Sequence, residues 1–304
     1  MDPSGKAAFA QPAPDGARLR RPISSHWSMK VHAIQAGCLR GNKTTTRGSG
    51  LSSMFRRRVS FEFPAFVYIL EHPDGHIAID TGMSARGWTF PFYARRIAPG
   101  PATDSKEDEV GPRMRAAGLK PEDVRTVVLT HLDVDHVGGA HWFSNARLLA
   151  HRRELEFTST LLGKPRYQTH LWPTGFDPLP YDLDPEPCGP FPESKAVTND
   201  GIVSVVPLAG HSIGQVGVLV RLDDIALFFT ADHVLRQDWF LEDRAAGRPC
   251  EMVSANFWMR RFRRLAAETT RRIEQFIRDV PTVLLPAHDT DAPRRLSTLE
   301  TVRL

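Results

Sequence analysis

The apolar positions of this chain fall into short runs separated by turn residues, and the spacing within each run predicts its element. MKVHAIQAG (29–37), FPAFVYIL (63–70) and HIAIDTGM (76–83) are rich in β-branched and aromatic residues, which favour strands. The second and third predict a hairpin, because Pro73-Asp74-Gly75 between them is a turn sequence. EVGPRMRAAGL (109–119) fits a helix ended by Gly118, and Pro121-Glu122-Asp123 opens a short turn into a strand at 125–130. ARLLAHRRELEF (146–157) fits a strand running into a helix. IVSVVPLAG (202–210), QVGVLVRL (215–222) and IALFFTAD (225–232) form a second set of strands. Residues 255–279 predict an amphipathic helix or a broken pair, and TVLLPAHD (282–289) a last strand with a polar tip.

Strands in two groups, each followed by helix, predict an α/β fold of two packed sheets with helices outside. Residues 1–28 read as a flexible or wrapping arm, and 29–304 as a single domain. The stretch 158–200, rich in Pro, Gly and aromatic residues, reads as a long irregular insertion, a class of loop that is usually functional. No internal repeat is visible.

Composition narrows the function only modestly. The 304 residues suffice for a substantial core. A formal net charge of +4 spread over that length, with a pI of about 9.1, argues against a nucleic-acid partner. The dense basic spots, Arg56–Arg58 and the run 260–264, read as solvated surface, with a pocket for an anionic substrate as the sharper alternative. Cys38, Cys188 and Cys250 are far apart with no CxxC, which suits a reducing compartment. No apolar run approaches the roughly 18 residues of a membrane span, and the N-terminus lacks a signal-peptide stretch. The expected location is the cytoplasm, away from membranes.

Chemistry concentrates at strand ends. The strand TVVLT (126–130) runs straight into His131, Asp133, Asp135 and His136, followed by Gly138 and Gly139. Four more strands end in residues able to ligate a metal: Asp80, His211, Asp232 with His233, and His288 with Asp289. A lone histidine at a strand end is more often structural. Five such ends converge if they share one edge of the fold. The H-x-D-x-D-H spacing lets a short turn aim residues i and i+2 at one point and i+4 and i+5 at another nearby. That suits two divalent ions bridged by water. Imidazole and carboxylate donors together suit Zn, Fe, Mn or Co.

With these motifs the chain resembles the metallo-β-lactamase superfamily, carried by HLDVDH, GHS, TADH and PAHD in order along residues 29–290. Within it, the run from GPRMRAAGL to HRRELEF, GHSIGQVGVLV and the closing AHD resemble the N-acyl homoserine lactonases, the quorum-quenching branch. The resemblance implies an αββα sandwich of two mixed β-sheets with outer helices. It implies that His131, Asp133 and His211 hold one metal ion, that Asp135, His136 and His288 hold the other, and that Asp232 bridges both. Zn is the ion it implies first. Asp80 matches the family's DTG turn, which supports the site from outside. Asp289 and His233 are candidates for orienting ligands, with a surface histidine the plainer reading of His233.

Two departures stand out. The family has His where this chain has Asp133. With a bridging hydroxide, the added carboxylate brings the charge of two divalent ions to balance, which predicts a weaker Lewis acid that tolerates harder ions such as Fe or Mn. The lactonases resembled here also place a carbonyl-polarising Tyr three residues after the bridging Asp, where this chain has Leu235.

The expected activity is metal-dependent hydrolysis of a carboxylic ester, a small-molecule lactone above all. A metal-bridging hydroxide attacks the carbonyl, a metal stabilises the oxyanion, and Asp135 passes a proton to the leaving alkoxide. Asp232 and Asp135 are the catalytic candidates. No G-x-S-x-G elbow competes for the role. Trp88, Phe90, Phe92, Tyr93, Phe61 and Phe63 read singly as core or oligomer contacts and together as a substrate wall; an exposed patch of them predicts a homodimer. The alternatives are a hydrolase of thioesters, β-lactams or phosphodiesters, an iron-dependent oxidoreductase, and a non-catalytic binding module.

Overall fold

The computed structural model describes residues 29–42, 60–85, 100–101, 105–167, 169–247 and 262–304. The arm 1–28, the basic triplet at 56–58, Trp88, Phe90, Phe92, Tyr93 and Cys250 lie outside the described residues.

The first sheet holds β1 (Val31–Asn42), β2 (Ser60–Leu70), β3 (His76–Ile79), β4 (Gly100–Pro101), β5 (Val124–Leu129), β6 (Arg147–His151) and β7 (Leu179–Tyr181), in the order β4-β1-β2-β3-β5-β6-β7. Its first half is antiparallel, and β3, β5, β6 and β7 run parallel. The second sheet holds β8 (Lys195–Ala196), β9 (Val203–Pro207), β10 (Val216–Arg221), β11 (Ala226–Ala231) and β12 (Thr282–Pro286), in the order β12-β11-β10-β9-β8. Only β11 and β12 pair in parallel there. The expected hairpin forms between β2 and β3, and Gly75 takes a φ of +110° at its turn.

Alternation along the strands explains why they read as continuous apolar runs. Phe66, Tyr68 and Leu70 of β2 face the second sheet and meet Val218 and Phe229, with the Tyr68 and Phe229 ring centroids 4.8 Å apart. Val67 and Ile69, between them, face outward under helix α1 (Val110–Ala116), against Val110 and Met114. Phe228 and Leu284 of the second sheet likewise point away from the sandwich. They pack under Ile273 and Phe276 of α6 (Arg263–Asp279). Sheets covered on both faces need apolar residues at every position. The architecture is two mixed sheets flanked by helices. Among the described residues, no helix is long and apolar enough to cross a membrane.

Two features differ from the expectation. The stretch 158–200 is not irregular throughout: after α3 (Arg152–Thr158) and α4 (Gly163–Tyr167) it lays β7 on one edge of the first sheet and β8 on one edge of the second. Strands this short carry no period that a sequence pattern can reveal. Helices α5 (Gln237–Ala245) and α7 (Ala292–Thr298) are also present.

The sheets are stitched where the polar strand ends gather. Val216 N donates to Thr130 O, and Phe66 N to Ala287 O, both at 2.9 Å. Between Asp133 and Gly138 the chain makes a single turn, α2 (Val134–Val137), and then passes close under the DTG turn. A Cβ at Gly139 would stand 2.2 Å from the Thr81 carbonyl oxygen. Gly139→Ala therefore forces the two turns apart and is expected to destabilise the fold by about 1–3 kcal/mol, measured as a lowered urea midpoint with an unchanged m-value.

Candidate metal centre

Each strand end delivers its side chains to one place. His131 follows β5, and Asp133 precedes α2, which carries Asp135 and His136. His211 lies in the turn between β9 and β10; Asp232 follows β11 and His288 follows β12. All seven meet, in two groups. Asp135, His136, Asp232 and His288 form one, and His131, Asp133 and His211 the other, each able to present ligand atoms within 4.8 Å of one another.

Asp232 faces both groups. Its Oδ1 lies 3.1 Å from His136 Nε2 and 3.1 Å from His288 Nε2, while its Oδ2 lies 3.6 Å from His211 Nε2. Asp135 Oδ2 closes its group at 3.6 Å from His136 Nε2 and 3.5 Å from His288 Nε2. In the other group, Asp133 Oδ2 is 3.0 Å from His211 Nε2 and 3.4 Å from His131 Nε2.

The outward hydrogen bonds fix which ring nitrogen carries the proton. Asp80 accepts from Thr130 N at 2.7 Å and from the Thr130 hydroxyl, and its Oδ2 takes the His136 Nδ1–H at 2.8 Å. The Thr130 hydroxyl spends its one hydrogen on that carboxylate, so towards His131 Nδ1, 3.1 Å away, it accepts. His288 Nδ1 donates to the Pro64 carbonyl at 2.7 Å. In the neutral imidazoles, then, three Nε2 lone pairs are left to point into the centre. His131 Nε2, His136 Nε2 and Asp232 Oδ1 are buried with no hydrogen-bond partner among the described residues. Buried polar atoms are seldom left so, and imidazole and carboxylate atoms facing one another are the donor set of a divalent ion. The residues fit the group.

Electrostatics point the same way. Burial opposes the charge on His136, but the carboxylates of Asp232, Asp80 and Asp135 outweigh it and raise that imidazole well above its usual value. Burial likewise opposes ionisation of Asp232, yet His288 and His136 hold its carboxyl well below the ordinary range. The site is a buried concentration of negative charge seeking cations. Backbone strain gathers here too: Asp80 and Ala231, at the ends of β3 and β11, take φ of +61° and +47°, a region costly for non-glycine residues.

Two expected supports act elsewhere. Asp289 accepts from Arg295 Nη2 at 2.6 Å, from Gln237 N at 2.8 Å and from Asp291 N at 3.0 Å. It ties α5 and α7 together, and His288 is oriented by Pro64 instead. His233 is buried, not on the surface. Its Nε2 lies 3.0 Å from the Thr270 hydroxyl of α6, and burial beside His211 pushes its pKa down to about 3. Leu235 packs with Leu39, Phe63, Ala65, Met83 and Trp239 in an apolar wall whose Phe63 ring stands 6.4 Å from the His288 ring.

Two residues had no signal in the sequence pattern. Arg166 of α4 places Nη2 2.8 Å from Asp133 Oδ2. Glu154 of α3 is buried and accepts from Tyr167 Oη at 2.6 Å, and from Ser212 Oγ and Gly214 N at 2.8 Å each. That bonding braces the turn carrying His211. The surplus carboxylate at Asp133 was the only hint that a cation had to stand near it.

The family model described as the metallo-beta-lactamase superfamily matches residues 61–288. An N-acyl homoserine lactonase AttM of Rhizobium johnstonii is 26% identical over 254 residues, 79% of this chain and 90% of that protein. An N-acyl homoserine lactonase AttM of Azorhizobium caulinodans is 27% identical over 280 residues, 87% and 94% of the two chains. Among solved structures, a B. thuringiensis AiiA variant with N-decanoyl-L-homoserine at its active site aligns with a TM-score of 0.65 at 19% identity, over 87% of this chain and 94% of that one.

Asp80→Asn keeps the shape but offers an amide N–H where His136 needs an acceptor. The imidazole then turns its proton to Nε2 and loses the inward lone pair. Divalent-ion affinity is expected to fall roughly 10–100-fold, read by titration with Zn or Mn against a chromophoric chelator.

Proposed function

The chain belongs to the metallo-β-lactamase superfamily, and from that premise we propose that it is a dinuclear-metal hydrolase that opens a lactone ring, an N-acyl homoserine lactone or a close relative. The observation that carries the reading is the Asp232 carboxylate, with one oxygen towards His136 and His288 and the other towards His211. His131, Asp133 and His211 would hold one ion, Asp135, His136 and His288 the other, and Asp232 both. Zn suits the imidazoles, and the third carboxylate widens the choice to Fe, Mn or Co. When bound, such ions would lower the pKa of a coordinated water and polarise an ester carbonyl.

The chain's own residues do the rest. Asp80, Thr130 and Pro64 keep three Nε2 atoms turned inward. Asp135, buried beside His136 and His288, would pass a proton to the leaving alkoxide oxygen. The wall of Phe63, Leu235 and Trp239 excludes water beside the second group and suits an acyl chain. The names of the relatives support the lactone. Residues 29–304 act as one unit in this reading, and the cysteine usage suits a reducing compartment such as the cytoplasm. A second reading, hydrolysis of another ester, a thioester, a β-lactam or a phosphodiester, is favoured by Leu235, which offers a lactone carbonyl no proton.

The test is metal analysis by mass spectrometry paired with a pH-stat assay on acyl homoserine lactones and simple γ- and δ-lactones. The expected result is two ions per chain and acid release that a chelator abolishes and added metal restores. Two ions with turnover only of other esters, thioesters or phosphodiesters selects the second reading. A chain that takes up no ion overturns both.

A further inference from the structure

Arg166 is out of place if α4 is only a connection between sheets. A buried guanidinium is costly unless it is paired, and the side chain is 8% exposed. The ion pair it makes at 2.8 Å is with Asp133 Oδ2, the same oxygen that faces His131 and His211. It also lies against the Tyr167 ring, with its Cζ 5.2 Å from the centroid. Tyr167 in turn is held by Glu154. The cation is thus braced from behind and aimed at one carboxylate of the first group.

We propose that Arg166 is a built-in counter-cation of the first metal pocket, and that the Asp133–Arg166 pair stands electrostatically where a single neutral imidazole would. The inference rests on the reading that His131, Asp133 and His211 hold a divalent ion. Counting Asp133 alone makes the centre one charge more negative than a set with imidazole at that position. Counting the pair restores the balance. The weaker Lewis acid expected from the carboxylate alone is thereby corrected: the guanidinium draws charge from Asp133 and keeps the ion electrophilic. The pairing also sets how firmly that ion is held, because a fixed positive charge this near repels a divalent cation. Arg166 is a positioning residue, acting on the ion through Asp133.

The test is a cycle of R166Q, R166K, D133H and D133H/R166Q, each loaded with Zn or Co. The readouts are ions per chain by mass spectrometry, the half-time of loss to excess EDTA, and the visible absorption of the Co form. R166Q leaves the carboxylate uncompensated, so its first ion should leave at least about tenfold more slowly than in the wild type. R166K keeps the charge and should match the wild type. D133H leaves a buried cation facing two ions and should bind only one. D133H/R166Q should recover the second ion. Wild-type loss rates in R166Q, or a double variant that binds no more than D133H, would overturn the proposal while leaving the metal reading intact. Should D133H fail to fold, R166Q against R166K decides alone, because a purely structural arginine would not be rescued in ion retention by charge. A wild-type chain holding fewer than two ions overturns the metal reading itself, and this proposal with it.

Discussion

Three carboxylates, Asp133, Asp135 and Asp232, converge with four imidazoles at one end of the sandwich, and everything around them serves to make that tolerable. Like charges brought together out of water disfavour one another and disfavour burial. The fold answers by spending the outward atoms of three of the four rings on fixed partners. Asp80 takes His136, Thr130 takes His131, and the Pro64 carbonyl takes His288. What remains inward is a set of lone pairs that only cations satisfy. The same bonds that stabilise the folded chain therefore define what it binds.

Such aim requires backbone that does not yield. The strands behind the site are buried on both faces, and close-packed interiors transmit rather than absorb displacement. The main-chain bonds from Val216 to Thr130 and from Phe66 to Ala287 lock the sheets together within a residue or two of the functional side chains. Rigidity also explains the strain. Asp80 and Ala231 sit in left-handed backbone, and conformations of that kind persist only where surrounding packing over-determines them.

Much of this was legible because it is local. The β2–β3 hairpin follows from one turn sequence, and the division of H-x-D-x-D-H between two points follows from a single helical turn. The strands declared themselves because both faces are apolar. Elements fixed by distant contacts left no such trace. Arg166 meets Asp133 across 33 positions, and Glu154 meets Gly214 across 60. Strands β7 and β8 are held by the sheet edges they complete, not by any period of their own. His233 and Asp289 were misjudged for the converse reason. Each adjoins a site residue in sequence, but the strands have ended and the chain is turning there, as the bond from His233 N to Thr230 O shows, so neighbours diverge: Asp289 reaches Arg295 and His233 reaches α6.

Asp133 shows how far ligand identity alone can mislead. A tally of donors assigns it a full negative charge and derives a softened electrophile from that charge. The charge that matters is the one a bound ion would experience, and Arg166 shares it at 2.8 Å. The two sides of the centre then differ in kind. On the His288 side stands the Phe63 ring, with Leu235 and Trp239 packed in the same apolar cluster, side chains that hold no charge and strengthen interactions within their reach by excluding water. Beside Asp133 the neighbours are Arg166, Tyr167 and Glu154, which fix charges in place. An exchange of imidazole for carboxylate is tolerable on the second side because a cation is already held there.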